Sequence, residues 1–398
     1  MIQYRRSVMD HSVRAYENLP LPEYPRSWAE IDLSALQQNY RLLCNRLQRR
    51  AKPIAVVKAD AYGHGMAICA KALFGVGCRR FAVSCIEEGI ALRRAIGKGA
   101  QILILGYTDP ASIKQLSGFD LSQTILSPAY GKDLLRAARA SDVCVRVQYA
   151  LDTGMNRIGF LARNKAEIRQ TAKDIRRFCK ESAFRSEGLF THFACADDPS
   201  DRLTDLQSER FSAVRDLLFK NGTVLPCHVC NSAGTLLRPQ DQFDAVRLGI
   251  VLWGVLPTDQ IQLQLRPVLR LCTRVVHLHR TKRGDRVGYG GEFHTSENRT
   301  VATLPIGYAD GWLRAYRGAT ITVGTSKGTF RVPLIGRICM DQCMADVTGI
   351  GAKIGDRVVL FGEDPNDLSV LARRANTIPY ESLSLISSRV PRIYQKQK

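Results

Sequence analysis

Apolar and polar positions follow two different rhythms along this chain. Up to about residue 248, short apolar runs alternate with longer stretches in which apolar residues recur every three or four positions. Leu36, Tyr40, Leu43 and Leu47 share one face and predict a helix over 34–49, with Ser34 as its cap. A strand over 53–57 follows, then a helix over 65–74 closed by Gly75 and Gly77. The alternation continues with strand 80–84, helix 86–96, strand 101–105, a short helix, strand 121–125 and helix 127–140. Strand 143–149, helix 164–181, strand 186–190, helix 202–220, strand 225–230 and a last strand over Asp244–Leu248 complete the series. About eight strand–helix units in succession predict an α/β fold, a closed TIM-like (β/α)8 barrel of parallel strands. An open doubly wound sheet is the alternative, but no Gly-x-Gly-x-x-Gly follows the first strand. After Arg266 the rhythm changes to short strands split by glycine and charged turns, at 275–278, 300–304, 320–323, 330–334 and 357–361. The expected organisation is an N-terminal extension over 1–26, a barrel over 27–265 and a C-terminal β-rich domain over 266–398.

Composition narrows the class without naming a function. The 398 residues are 45% hydrophobic and 24% charged, as in ordinary globular proteins. No run approaches the roughly 18 apolar residues of a membrane helix. The stretch Met1 to Arg26 has no apolar h-region, so no secretory signal and no membrane partner is expected. Twelve cysteines without an export signal indicate reduced thiols in a cytoplasm. Cys227 and Cys230 form a C-x-x-C, but on a strand their side chains point to opposite faces, so no metal is expected. The net charge of +20 is scattered as pairs such as Arg49-Arg50, Arg79-Arg80 and Arg93-Arg94, where solvated helix faces are the usual explanation. The densest cluster, Arg280 to Arg286, still contains Asp285. No nucleic-acid-binding motif accompanies these residues, so nucleic acid is not an expected partner.

Chemistry in a barrel of this kind collects at the C-terminal ends of the strands. The predicted strand ends carry Lys58, then Asp152 to Arg157, Thr191-His192-Phe193, Asn231-Ser232-Ala233-Gly234 and Arg247-Leu248-Gly249-Ile250. A lysine closing a buried strand is half desolvated. Burial lowers its pKa and favours the neutral amine that attacks a carbonyl, the requirement for a Schiff-base lysine. Tyr62 can reach back over the same strand mouth. Ser232 and the amides near Gly249 suit a phosphate, because glycine permits close approach. An aldehyde cofactor bearing a phosphate fits both features.

These residues fall into motifs that resemble the alanine racemases, fold-type III pyridoxal-phosphate enzymes. The match runs from about Trp28 to Tyr394. It includes Ala55 to Gly65, Asp152–Gly159, Thr191-His192-Phe193, Asn231-Ser232, Val246-Arg247-Leu248-Gly249, Val287-Gly288-Tyr289-Gly290, Leu304–Arg314, Gly336–Met344 and Arg389 to Arg392. The resemblance implies racemisation of L- and D-alanine, supplying D-alanine for peptidoglycan. Lys58 would anchor pyridoxal 5'-phosphate as a Schiff base. Tyr62, Ser232, Gly249 and Ile250 would hold its phosphate, and Arg247 would donate to its ring nitrogen. Arg157 and Met340 would serve the substrate, with Arg157 also supporting the phenolic oxygen. Lys58 and Tyr289 would be the acid and base on opposite faces of the substrate carbon. A free tyrosine is about 0.1% ionised at pH 7, a penalty of roughly 4 kcal/mol. The His192 and Arg247 equivalents lie beside this tyrosine in the family and would reduce it. In relatives the equivalents of Tyr289, Tyr308, Met340 and Asp341 reach the other subunit's barrel, which implies a homodimer with shared sites.

Three positions depart from the family's pattern. Ala150 stands where many relatives carry a carbamylated lysine that orients the arginine corresponding to Arg157, so another anion such as chloride, or another polar partner, is expected there. Ser388 occupies the place of a tyrosine near the substrate methyl, and the extra room predicts some turnover of serine. Trp253 replaces a common tyrosine. A racemase preferring serine or another small amino acid, a non-catalytic pyridoxal-phosphate carrier and a decarboxylase of the same fold are the alternatives.

Overall fold

Eight parallel strands run side by side in the order 245–248, 52–56, 80–83, 101–104, 122–125, 145–152, 184–190 and 227–228. The first and last are joined by backbone bonds from Asp244 N to Cys227 O (3.0 Å) and from Arg247 N to Cys230 O (2.9 Å). The sheet is therefore a nearly closed parallel barrel, as the strand–helix alternation predicts. The computed structural model describes residues 25–364 and 367–395. Most of the expected N-terminal extension, residues 1–24, lies outside the described residues.

Both faces of these strands are buried, mostly as short apolar runs, whereas Ser122–Ile125 buries the polar Ser122, Gln123 and Thr124. Arg80–Val83, Gln101–Ile104 and Ser122–Ile125 pair in parallel and are followed by amphipathic helices. The helix over Pro128–Ala140 begins with Ser127 Oγ accepting from Tyr130 N and with proline in its first turn. Gly131 lets that helix close on its neighbours, since a Cβ there would lie 2.7 Å from Phe178 Cζ and 2.9 Å from Ile125 Cγ2.

The chain divides into two compact units, Leu36–Arg266 and the described residues on either side of it. The second unit is a nine-stranded sheet in the order 277–281, 299–304, 343–346, 328–335, 320–325, 357–361, 269–274, 27–32 and 392–395. Ser27–Asp32 pairs antiparallel with Leu269–Arg274 and parallel with Arg392–Gln395. A barrel domain beginning at residue 27 therefore misassigns this strand, which belongs to the β-rich unit. Asp32, not Ser34, caps the helix that follows: its Oδ1 accepts from Ala35 N at 2.8 Å, and the helix runs Leu33–Cys44 rather than to 49.

Arg93 is not part of a solvated helix face. It is 8% exposed and donates to the carbonyls of Gly97, Phe119, Ala100 and Asp120, fastening the end of helix Ile86–Ile96 to two loops. Among the described residues no helix is long and apolar enough to cross a membrane, and no group of three or more His, Cys, Asp or Glu could hold a metal ion. Cys227 and Cys230 make separate sulfur contacts, to the carbonyls of Leu225 and Asp241, and burial pushes both thiols up to about 12.

Candidate active site

Lys58 directly follows Val57, whose N–H still bonds to Ala82 O of the adjacent strand at 2.9 Å. The next four residues, Ala59, Asp60, Ala61 and Tyr62, all have φ between 51° and 57°, a turn of left-handed helix without a glycine. Such a conformation costs roughly 1–2 kcal/mol per residue, so the surroundings must hold it. Glu88 Oε1 accepts from Ala59 N at 2.7 Å, and Asp60 Oδ1 accepts from Met66 N at 2.7 Å. His64 is fully buried and donates from Nδ1 to the carbonyls of Ala61 and Tyr62, both at 2.9 Å. Its ring stacks on Trp253 at 4.5 Å, and Trp253 also lies 5.9 Å from the Tyr62 ring. Trp253 is thus a wall behind the strained turn. The Lys58 amine is held below its ordinary pKa by burial first and by the Arg157 guanidinium second, with Glu88 acting in the opposite sense.

Arg247 is buried in the barrel's interior, at the end of Ala245–Leu248. Nη1 donates to His228 Nδ1 (2.6 Å) and His228 O (2.9 Å). Nη2 faces Thr191 O (2.7 Å), Val229 O (2.8 Å) and His192 Nδ1 (3.3 Å). Because a guanidinium only donates, both imidazoles accept at Nδ1 and carry their hydrogen on Nε2. His228 passes that hydrogen to Gln148 Oε1 at 2.7 Å. Gly188 makes room for Gln148, since a Cβ there would fall 2.8 Å from Oε1. Burial, then Arg247, Arg157 and Lys58, bring His192 down to about 3, and burial with Arg247 holds His228 well below its ordinary value. Both rings are neutral at physiological pH. Burial lowers Arg247 only to about 10, so it remains the charged member of the group. Gln148 and His228 are absent from the residues singled out in the sequence. The available signal for His228 is a lone ring inside the predicted strand 225–230, where the neighbouring residues are apolar or cysteine.

Tyr62, Ser232 and Gly249 converge on one spot, and Ile250 follows Gly249 in the chain. Asn231 caps helix Ser232–Leu237 by accepting from Gly234 N, which spares Ser232 that task. Ser232 Oγ accepts instead from Gly249 N at 3.0 Å. A Cβ on Gly249 would sit 2.7 Å from Tyr62 Oη and 3.5 Å from Ser232 Oγ. Two hydroxyls therefore face a glycine amide at the start of the turn Ile250–Trp253.

Arg157 does not pair with Asp152. Asp152 Oδ1 accepts from Gly154 N and Asn156 N, both at 3.0 Å, and closes its own loop. Arg157 is exposed and makes no hydrogen bond or ion pair among the described residues. Ala150 is 2% exposed on the strand beside Phe190. No carboxylate arises at this position.

The remaining predicted residues lie in the β-rich unit. Tyr289 is 71% exposed, on a turn in which Gly288 and Gly290 both have φ of 74°. Glu292 anchors this turn by pairing with Arg337 and with Arg317 (2.8 Å). Tyr308 and Met340 are 44% and 54% exposed and belong to two loops bonded to each other, Tyr308 N to Cys339 O (3.1 Å) and Ala309 N to Met340 O (3.0 Å). Asp341 accepts from Arg389 Nη2 at 2.7 Å, and Ser388 is exposed.

The sequence matches the profile of the alanine racemase N-terminal domain over residues 31–257 and that of the alanine racemase C-terminal domain over 268–394. It is 38% identical over 377 residues to the alanine racemase of Clostridium tetani, covering 92% of this chain and 95% of that one. It is 35% identical over 375 residues to the alanine racemase of Methanococcus maripaludis, with 92% and 98% covered. The solved alanine racemase of Clostridium difficile 630 superposes with a TM-score of 0.87 at 34% identity, covering 94% of this chain and 97% of that one. With the barrel, the β-rich unit and both domain profiles in agreement, the chain belongs to the alanine racemase family and is an isomerase of that type.

Proposed function

We propose that the protein interconverts L- and D-alanine with pyridoxal 5'-phosphate held at the barrel rim, as a homodimer whose sites combine Lys58 of one chain with Tyr289 of the other. D-alanine made in this way in the cytoplasm would supply peptidoglycan. Two features of the rim fit that cofactor. Arg247 spends Nη1 and Nη2 on protein acceptors, and its Nε–H is left without one among the described residues. That donor suits a ring nitrogen. Glycine at 249 keeps open a cradle that a Cβ would fill, between the Tyr62 and Ser232 hydroxyls. The observation that carries the reading is the Lys58 amine, placed at the strand mouth and lowered toward its neutral form.

When bound, pyridoxal phosphate supplies a conjugated ring that withdraws electrons from the substrate's Cα and acidifies its hydrogen. Arg247 would hold the ring nitrogen by donating to it, and because a guanidinium keeps its proton that nitrogen would stay unprotonated and electron withdrawal would be moderated. Neutral Lys58 takes the Cα proton from one face, and the Tyr289 hydroxyl gives its proton to the other. One passage leaves Lys58 protonated and Tyr289 ionised, and exchange with solvent restores both. His192 is neutral, so the positive charge that eases ionisation of Tyr289 belongs to Arg247, with His192 as the ring between them. Arg157, free of protein partners, takes the substrate carboxylate. The exposed Tyr289, Tyr308 and Met340 would be covered by the partner's barrel.

The test is to incubate the protein with pyridoxal phosphate and L-alanine in deuterated water, then follow chirality and deuterium at Cα. Inversion with deuterium incorporation is expected, and Lys58→Ala and Tyr289→Phe should each abolish most of it. Deuterium entering without inversion would sink the two-sided scheme. Exposed Ser388, with its small side chain, favours a secondary turnover of serine at the same site.

A further inference from the structure

We infer that Glu88 is a positioning residue for Lys58, fixing the left-handed turn that presents the amine. Glu88 occupies the first turn of helix Ile86–Ile96, beyond the end of strand Arg80–Val83. One carboxylate oxygen accepts from Ala59 N and the other from Ser84 N, both at 2.7 Å. Those two amides are the ones just past the end of the parallel ladder between Lys52–Val56 and Arg80–Val83, whose last backbone bond is Val57 N to Ala82 O. Beyond it the chain turns left-handed at Ala59, and no backbone carbonyl of the adjacent strand receives the Ala59 N–H. Glu88 supplies the missing acceptor and bolts the two strand ends together.

The same carboxylate is the anion that acts on Lys58. The other charged group acting on the amine is Arg157, from the loop after Val145–Asp152, and it opposes Glu88; His192, beside the same site, is neutral. Removing the Glu88 charge leaves Arg157 unopposed, so the amine loses its proton at lower pH. The Glu88 charge therefore acts to raise the Lys58 pKa against burial and Arg157, besides holding the turn that follows the residue. A glutamine offers a single acceptor oxygen, holds one of the two amides and carries no charge.

This inference rests on Lys58 as the reacting amine, and its test separates the two ideas. Full-length wild type, Glu88→Gln and the exposed neighbour control Glu87→Gln are compared in three measurements. The first is the rate of Lys58 arylation by trinitrobenzenesulfonate, located by mass spectrometry, against pH and with or without pyridoxal phosphate. The second is hydrogen exchange at the Ala59 and Ser84 amides. The third is the acid limb of kcat for L-alanine, since Lys58 acts as a free amine only in the substrate complex. In Glu88→Gln the midpoint of Lys58 reactivity should move down, and the acid limb should move with it. One of the two amides should exchange about tenfold faster or more, because it has lost its acceptor. Glu87→Gln should behave as wild type. If Glu88→Gln lowers kcat while both midpoints stay in place, Glu88 is only scaffold and the inference is overturned. Unchanged amide exchange would also overturn it. Failure of pyridoxal phosphate to protect wild-type Lys58 from arylation would instead remove the reading of Lys58 as cofactor anchor, whatever Glu88 does.

Discussion

The two units solve opposite problems. In the barrel the functional groups are buried and tied to one another. The terminal nitrogens of Arg247 all face acceptors, His192 and His228 have their tautomers dictated, and Lys58 is set by a strained turn that several side chains clamp. In the β-rich unit Tyr289, Tyr308 and Met340 are exposed, and the hydroxyl of Tyr289 has no partner among the described residues. Yet their backbones are not loose. Glycine-rich turns, the Glu292 pairs and the bonds between the Tyr308 and Met340 loops hold them in shape. One region supplies a finished electrostatic environment, and the other supplies exposed side chains on fixed backbones. The difference teaches that a fixed backbone and a finished electrostatic environment are separate properties.

The hardest way to break this comparison is to divide the two halves between chains. Lys58→Ala and Tyr289→Phe should each be nearly inactive alone, the latter by about 10²–10⁴-fold for loss of a general acid–base. Denatured together and refolded, random pairing makes about half the dimers mixed, each with one intact site, so about one quarter of wild-type activity should return. No recovery would mean that each chain builds its site from its own residues. A smaller effect is expected from Gln148→Glu. A carboxylate would draw a second proton onto His228 and turn Nδ1 from acceptor to donor, facing the Arg247 guanidinium. Mispairing of a buried polar network costs roughly 1–3 kcal/mol. The thermal midpoint and cofactor affinity should both fall, and the ¹⁵N shifts of His228 should report an imidazolium. A neutral ring in that variant would show that the network is not set by Gln148.

Much of the barrel rim was legible in advance because buried strands read as apolar runs and their ends as sudden polar residues. Lys58, His192, Ser232 and Arg247 were found in this way. The left-handed turn was not, since Ala-Asp-Ala-Tyr carries no glycine, and its stability comes from Glu88, His64 and Trp253, distant in the chain. His228 was hidden inside the Cys227–Cys230 pair, which draws attention to metal chemistry. Ser27–Asp32 was missed because its pairing partners lie some 240 or more residues away at 269–274 and 392–395 and leave no local trace. In the β-rich unit the resemblance alone singled out Tyr289, as exposed side chains on short turns carry no periodic signal.

Acid should expose the barrel's dependence on neutral histidines. Their pKa values are depressed in the folded state, His192 to about 3 and His228 also well down, against about 6.5 for an unfolded chain. Above pH 6.5 both states leave these rings unprotonated and the groups contribute no slope. Below it the unfolded chain binds protons that the folded barrel refuses, so stability falls as pH drops from 6.5 toward 3. Urea midpoints measured from pH 7.5 to 4.5 should decline, and His192→Gln should flatten the decline by removing one of the two refusing groups. A slope that His192→Gln leaves unaltered would assign acid sensitivity to carboxylates instead.

The smallest expected effect concerns substrate size. Ser388 lies between two pinned neighbours. Ser387 N bonds to Asp310 O (3.1 Å), Ser387 O accepts from Arg392 (2.7 Å), and Arg389 N bonds to Ser387 Oγ (3.1 Å). The backbone is thereby fixed while the side chain at 388 is exposed, so Ser388→Tyr should change local volume without moving the turn. Discrimination between substrates that differ by one small group is worth about 10–200-fold when a pocket is tight. The ratio of kcat/KM for L-serine to that for L-alanine should therefore fall toward the low end of that range, about tenfold, with the alanine value little changed. An unaltered ratio would mean that the space beside Ser388 is not where the substrate's side chain lies, and would place selectivity in the barrel rather than in the β-rich unit.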